Sequence, residues 1–307
     1  MNCLVLGGNG FIGSHLVDKL LTEGHRVRVF DKYEEHFRKP LTAVDYRYGD
    51  FGNRGLLTEA LMDMDTVLHL ISTTLPKTSN DDPVFDVQSN VIETLFLLEQ
   101  CVAQKIKKII FISSGGTIYG KPSILPIPEN SPADPECSYG ITKLTIEKYL
   151  ALFNRLYGLE YTILRPSNVY GERQNPEGIQ GAISVFLGKV ARSLPIQIWG
   201  DGTVVRDYIY IADLVEAVSK AANIMTLDRI FNIGSGKGIA LNEIMEVICQ
   251  VTKREACIEY QEKRSFDVPA IYLDVTRVHQ QLNWSATTPI EEGIKRTWDF
   301  IQGSNII

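Results

Sequence analysis

Gly7-Gly8-Asn9-Gly10-Phe11-Ile12-Gly13 stands between two segments of different rhythm. Before it, CLVL at 3–6 is a short apolar run that reads as a strand. After it, SHLVDKLLTEG repeats apolar residues at helical spacing and closes at Gly24. RVRVFD then returns to a strand pattern and ends at Asp31, 18 residues beyond Gly13. Glycines between a strand and a helix let the backbone approach a pyrophosphate, and the helix N-terminus offers free N–H groups to it. The Asp31 carboxylate is placed to accept hydrogen bonds from the adenosine ribose hydroxyls and to repel a 2′-phosphate, so the expected dinucleotide is NAD. Lys32 beside it would welcome a phosphate and softens that preference. A plain structural turn, or FAD or another nucleotide, are the competing readings.

Working outward, the strand–helix alternation continues. RGLLTEALMDM reads as a helix, TVLHLIS as a strand, 83–104 as one long helix and KKIIFISS as a strand. SYGITKLTIEKYLALFNRLYG is a helix and LEYTILRPSNVYG a strand. Alternation of this kind predicts βαβ units, a Rossmann-type doubly wound parallel sheet and an α/β fold. The rhythm loosens after Gly171, which divides the chain into a nucleotide-binding domain (1–171 plus 207–234) and a smaller C-terminal α/β lobe (172–206 plus 235–307). The 307 residues carry 31 Lys+Arg against 37 Asp+Glu, a formal charge of −6. That sign argues against nucleic acid as a partner. No apolar run reaches the ~20 residues of a bilayer span, and the N-terminus lacks the basic and apolar regions of a signal peptide. The five cysteines, Cys3, Cys101, Cys137, Cys249 and Cys257, form no CxxC pair. They read as small buried hydrophobes in a reducing, cytoplasmic setting, with neither a disulfide framework nor a metal site.

Tyr139-Gly-Ile-Thr-Lys143 opens the helix that follows KKIIFISS. Four residues of helix rise about 6 Å and leave both side chains on one face. An ammonium beside a phenol favours the phenolate, so the pair reads as an acid–base device, with Tyr139 as general base. The strand before it ends in Ser113-Ser114-Gly115-Gly116-Thr117-Ile118-Tyr119-Gly120.

With these motifs in order, the chain resembles the extended short-chain dehydrogenase/reductase family, in its NAD-dependent nucleotide-sugar epimerase/dehydratase branch. The resemblance covers nearly the whole length and implies roles for further residues. Around the dinucleotide it implies Gly7, Gly10, Phe11, Ile12, Gly13, Asp31, Lys32, Asp50, Phe51, Leu70, Ile71, Ser72, Asn90, Ser113, Tyr139, Lys143, Pro166 and Val169. For the nucleotide-sugar substrate it implies Gly115, Asn168, Gln180, Arg206, Arg264 and Asp267, with Asn168 and the two arginines on the diphosphate. Bidentate arginines would do locally what net charge does not. The family also pairs the helices 83–104 and 138–157 across a dimer axis. Val91, Leu95, Leu98, Ile146, Leu150 and Leu152 give those helices apolar residues on more than one face, so a homodimer is expected.

One departure stands out. The family places a catalytic Ser or Thr where this chain has Gly115, so the bridging hydroxyl would come from Thr117, from Ser114 or from water. Thr117 shares the strand-face parity only if the chain stays extended. Dehydratases and glucuronate decarboxylases of the branch use acidic residues where Gly116 and Thr117 stand, and neither reaction fits. Tyr139, Lys143 and NAD suffice for 4-epimerisation through a transient 4-keto sugar, or for net 4-keto reduction. A non-enzymatic NAD-binding sensor or scaffold is the third reading. The position implied to set tolerance at the sugar 2-substituent is Ile271, which selects no sugar.

Overall fold

In a computed structural model, residues 1–263 and 268–303 are described. The chain packs as two compact units, one of 1–120, 132–165 and 215–231, the other of 121–131, 166–214 and 232–307. Segments 121–131, 166–171, 207–214 and 232–234 thus pack with the second unit, although the sequence reading groups them with the first.

The first unit is built on β1 (Asn2–Leu6), β2 (Arg26–Asp31), β3 (Val44–Tyr48), β4 (Thr66–His69), β5 (Lys108–Ile112) and β6 (Glu160–Pro166). Strand Ile230–Ile233 completes a seven-stranded sheet in the order β3-β2-β1-β4-β5-β6 and then Ile230–Ile233. Pairings of β1 with β2 and β4, β2 with β3, β4 with β5 and β5 with β6 are all parallel. Strands buried on both faces explain the continuous apolar runs. Leu4, Leu6, Phe30, Ile109 and Phe111 point to one side, where α2 (Arg54–Leu61), α4 (Glu93–Ala103) and α5 (Ser138–Tyr157) supply Leu57, Leu97, Leu98, Ile146 and Leu150 to one core. Helix α1 (Phe11–Thr22) buries Leu16, Val17 and Leu20. Strand order reverses between β1 and β4. Ligands of open α/β sheets bind beyond the strand ends at such a point, and the Gly7–Gly13 loop and Leu70–Ser72 leave the sheet there.

Three segments differ from the sequence pattern. The helix 83–104 is interrupted: α3 (Pro83–Asp86) runs into a π-helical turn, Val87–Ile92, before α4. The run LEYTILRPSNVYG breaks after Pro166, and Asn168–Tyr170 pairs instead with Tyr208–Tyr210 in the second unit. Strand β3 was not foreseen, because VDYRY is half-exposed at the sheet edge and lacks an apolar run.

The second unit holds that pair, a three-stranded sheet of Ile239–Ala240, Val205–Arg206 and Ala270–Ile271, and a parallel pair of Ile196–Trp199 with Ile258–Gln261. Helices Ala182–Ala191, Leu241–Thr252 and Ile290–Gly303 pack on one another. Among the described residues no helix is long and apolar enough to cross a membrane, and no cluster of His, Cys, Asp or Glu suits a metal ion. The cysteines do not behave alike: Cys3 and Cys101 are buried, but Cys137 and Cys249 are half-buried and Cys257 is exposed, which corrects the expectation of five buried hydrophobes.

Candidate functional site

The glycine loop closes on itself. Gly10 donates its N–H to the Gly7 carbonyl at 3.2 Å, and a Cβ at Gly13 would lie 2.1 Å from that same oxygen. Only glycine allows the first turn of α1 to stand so close to the strand end. Gly10 caps α1 with extended backbone and no side chain, so the helix N-terminus faces outward with its N–H groups unscreened. Asp31 is buried at the end of β2. Its Oδ2 accepts the Asn9 N–H at 3.0 Å and its Oδ1 the Tyr33 N–H at 3.0 Å. The carboxylate thus fixes the loop and retains further acceptor capacity on both oxygens. Lys32 is exposed, its ammonium 4.9 Å from the Tyr33 ring centre. Asp50 is exposed and accepts the Gly52 N–H, while Phe51 is buried against His69.

Residues 70–72 leave β4 toward α5. Ile71 is the nearest side chain to a Cβ placed on Gly7, and Ser72 is exposed. The Ser72 hydroxyl hydrogen-bonds the Tyr139 phenol. Asn90 does not reach outward as expected. Its Oδ1 accepts the Thr73 N–H at 3.0 Å, and its Nδ2 lies 2.7 Å from Thr73 Oγ1 and 2.9 Å from Asp86 Oδ1. Both amide protons are spent on the loop and the helix, so Asn90 shapes the site from beneath.

On α5, Tyr139 and Lys143 share a face. The Lys143 ammonium donates to the Ile112 carbonyl at 3.0 Å, 4.8 Å from the Phe111 ring centre and 5.6 Å from that of Tyr139. Burial draws Lys143 down to about 8, opposed by Asp86 and then Glu147. The same low-dielectric setting pushes Tyr139 up to about 12, with Cys137 adding to the rise and Ser72 opposing it. Burial is the largest cause on both groups, and it moves the phenol opposite to the direction the spacing alone suggests.

The segment after β5 turns rather than staying extended: Ile118 donates its N–H back to the Ser114 carbonyl at 3.4 Å. The parity argument for Thr117 therefore fails. The turn nevertheless leaves the Thr117 hydroxyl buried without a hydrogen-bond partner. A Cβ at Gly140 would stand 3.1 Å from the Thr117 carbonyl, so glycine at the second position of the YxxxK motif lets the turn rest on α5. Gly115 is buried and Ser114 half-buried. Ser113 donates to Glu147 Oε1 at 2.7 Å. Arg165 Nε meets Glu147 Oε1 at 2.9 Å, Nη2 meets Oε2 at 2.5 Å and Nη1 donates to Tyr119 Oη at 2.9 Å. Ser113 and Tyr119 bracket the turn, so this buried ion pair fixes both of its ends. Asp86 and Glu147 were missed in the sequence. Glu147 lies four residues after Lys143 and Asp86 four before Asn90, spacings that place each on the functional face of its helix.

Within the second unit, Asn168 is exposed beside half-buried Val169, and Pro166 is buried. Arg206 is half-buried and its Nη1 donates to the Val268 carbonyl at 2.9 Å. Its neighbour Asp207 is buried and accepts from Ser167, from Ser235 and from the backbone N–H groups of Ser235, Gly236 and Leu273. Arg206 pairs in register with Ile271. Gln180 is exposed. Arg264 and Asp267 lie outside the described residues.

The sequence matches the profile of the NAD dependent epimerase/dehydratase family over residues 3–234. A UDP-glucose 4-epimerase of Mycolicibacterium smegmatis is 32% identical over 99% of this chain and 100% of its own length. A dTDP-4-dehydro-6-deoxyglucose reductase of Escherichia coli is 33% identical over 95% of each chain. Among solved structures, the UDP-glucose 4-epimerase of Thermotoga maritima with UDP-glucose superposes with a TM-score of 0.93 at 35% identity, covering 99% of both chains.

Proposed function

Because the chain belongs to the NAD dependent epimerase/dehydratase family, we propose that it is an NAD-dependent 4-epimerase of a nucleotide diphosphate sugar. The observation that carries the reading is the pair of half-buried Tyr139 and buried Lys143 on one face of α5, beside a strand-end turn that offers Gly116 and Thr117 where a dehydratase would need acids. Full-length likeness to UDP-glucose 4-epimerases supports it.

The Gly7–Gly13 cradle, which a Cβ would fill, and the acceptor capacity left on Asp31 fit a dinucleotide with free ribose hydroxyls. Bound NAD supplies a reversible hydride acceptor at the sugar C4 and a positive ring. Tyr139 removes the proton of the sugar 4-hydroxyl, and a transient 4-keto sugar results. Tyr139 returns the proton after the sugar presents its other face. Burial raises the phenol, and the same low dielectric makes any added positive charge effective in lowering it. Lys143 holds positive charge beside the phenol. The unpartnered Thr117 hydroxyl supplies the bridge that Gly115 does not, in preference to Ser114. Asn168, Arg206, Gln180, Arg264 and Asp267 hold the nucleotide diphosphate and the sugar.

A second reading, a 4-ketoreductase of a dTDP-4-keto-6-deoxyhexose, is favoured by the likeness to the Escherichia coli reductase. One experiment separates the two. Purified protein is given UDP-glucose, UDP-N-acetylglucosamine or UDP-glucuronate without added reductant, and products are read by mass spectrometry and NMR. Formation of a C4 epimer supports the proposal. Turnover confined to a 4-keto sugar with stoichiometric loss of NADH or NADPH replaces it with the reductase.

A homodimer is part of the proposal. Val91, Leu98, Ile146 and Leu150 prove to be buried in the chain's own core. The uncovered apolar side chains of the same helices are Val84, Phe85, Val87, Ile92, Ile141, Leu156 and Tyr157, and a partner covering them is the physical reason for pairing. Sedimentation equilibrium tests it: a monomer at micromolar concentration removes it.

A further inference from the structure

Ser138 and Thr142, which flank Tyr139 and Lys143 along α5, reach one carboxylate, that of Asp86. Ser138 Oγ donates to Asp86 Oδ2 at 2.6 Å, and Thr142 Oγ1 lies 3.5 Å from the same oxygen. Oδ1 accepts Thr74 Oγ1 at 2.6 Å and Asn90 Nδ2 at 2.9 Å. The Thr73 N–H holds Asn90 Oδ1, which turns the Asn90 amide so that its donors face Asp86. Three segments therefore meet on this group: the loop after β4, the π-helical turn and the start of α5. The same α5 terminus is held by Asn80 Oδ1, which accepts the Ser138 N–H at 2.9 Å, and by Ser79 Oγ, which accepts the Tyr139 N–H at 3.0 Å.

Asp86 is fully buried. A buried charge is costly unless it is well bonded, and an amide or an apolar side chain would fill the space at less cost. Its partners are hydroxyls and an amide, all neutral, so its field is not cancelled at close range. Glu147, the other carboxylate that acts on Lys143, is paired with the Arg165 guanidinium.

We propose that Asp86 is a positioning residue for the Tyr139–Lys143 pair, orienting the first turn of α5 through Ser138 and placing an unmatched negative charge beside Thr142, the neighbour of Lys143. The inference rests on the reading of Tyr139 and Lys143 as the acid–base pair. The groups facing Lys143 are Tyr139 and Glu147 on α5, Asp86 on α3, His69 on β4, and the Phe111 ring and Ile112 carbonyl of β5; Cys137 faces Tyr139. Of the two carboxylates that oppose the downward pull of burial on Lys143, Asp86 is the stronger. Asp86 also raises Tyr139, so its removal lowers both members of the pair.

The test titrates Lys143 in the full chain by 13Cε lysine NMR, the resonance assigned by its loss in Lys143→Met. Asp86→Asn is expected to lower the Lys143 midpoint by about one pH unit. Ser138→Ala, which removes a hydrogen bond and no charge, is expected to leave the midpoint in place. Asp86→Glu keeps the charge and serves where the Asn variant does not fold; its midpoint is expected to stay with the parent. An unmoved midpoint in Asp86→Asn, or a drop in Asp86→Glu, overturns the proposal. The titration needs no substrate, so it stands or falls apart from the epimerase reading. With UDP-glucose, the kcat/KM profile of Asp86→Asn should move to lower pH on both limbs. A profile that only loses height overturns the electrostatic role.

Discussion

Two buried carboxylates act on α5 within nine residues of Tyr139, and they differ in what they are bonded to. Glu147 meets the guanidinium of Arg165 through both oxygens and also accepts from Ser113. Among the described residues, Asp86 meets hydroxyls and an amide. The first arrangement is a paired strut: Arg165 matches its charge, and it locks the two ends of the 113–119 turn to the helix. The second is a charged clamp: it fixes the helix start and also projects a field onto Lys143. Helix α5 is thus held by one carboxylate of its own whose charge is paired and by one from α3 whose charge is not.

The largest expected effect lies between them. Tyr139→Phe should lower epimerase turnover by about 1,000-fold, while the protein still co-purifies with NAD, read from its 260/280 nm absorbance. A sensor or scaffold would be indifferent, and the comparison of strut and clamp would lose its subject. Arg165→Met leaves Glu147 buried and unpaired and should cost about 3–5 kcal/mol in chemical denaturation. Asp86→Asn, which leaves mismatched hydrogen bonds but no orphaned charge, should cost about 1–3 kcal/mol. Equal losses would erase the distinction between the two groups.

Thr117→Val tests what the strut holds in place. It should lower kcat by about 100-fold if the Thr117 hydroxyl touches the reacting oxygen, whereas Ser114→Ala should keep kcat within the same order; the reverse result would assign the bridge to Ser114. The smallest effect concerns His69, which is buried, donates from Nε2 to Thr94 Oγ1 at 3.0 Å and is drawn down to about 3 by burial, with Lys143 adding to it. Thr94 spends its own proton on the Asn90 carbonyl, which fixes that tautomer. The unfolded chain takes up this proton near pH 6.5 and the folded chain does not. Stability should therefore fall as pH drops below 6.5, by up to about 1.4 kcal/mol per unit from this residue. Thermal melts from pH 7 to 4 should show a flatter slope in His69→Gln.

Local pattern was enough for the parts of the molecule whose chemistry is written in neighbouring residues. The strand–glycine–helix passage at 3–24 announced the sheet and the dinucleotide turn, because phosphate approach demands missing side chains at fixed spacing. Tyr139 and Lys143 were legible because helical geometry turns a spacing of four into adjacency. The break at Pro166 was not, since SNVY has strand propensity and only partner availability moved it to a second sheet.

What the amino-acid order determined alone was the α/β architecture, the NAD-type loop and the shared helix face of Tyr139 and Lys143, all consequences of short-range periodicity and side-chain chemistry. What only the folded chain decided was the electrostatic sign at that pair. Burial lifted the phenol that an adjacent ammonium alone would lower, and desolvation is a property of everything packed around a group. The same holds for Asn90, read as a ligand contact yet spent on Thr73 and Asp86. A π-helical turn put its amide there, and no spacing rule in one dimension records a turn with an extra residue.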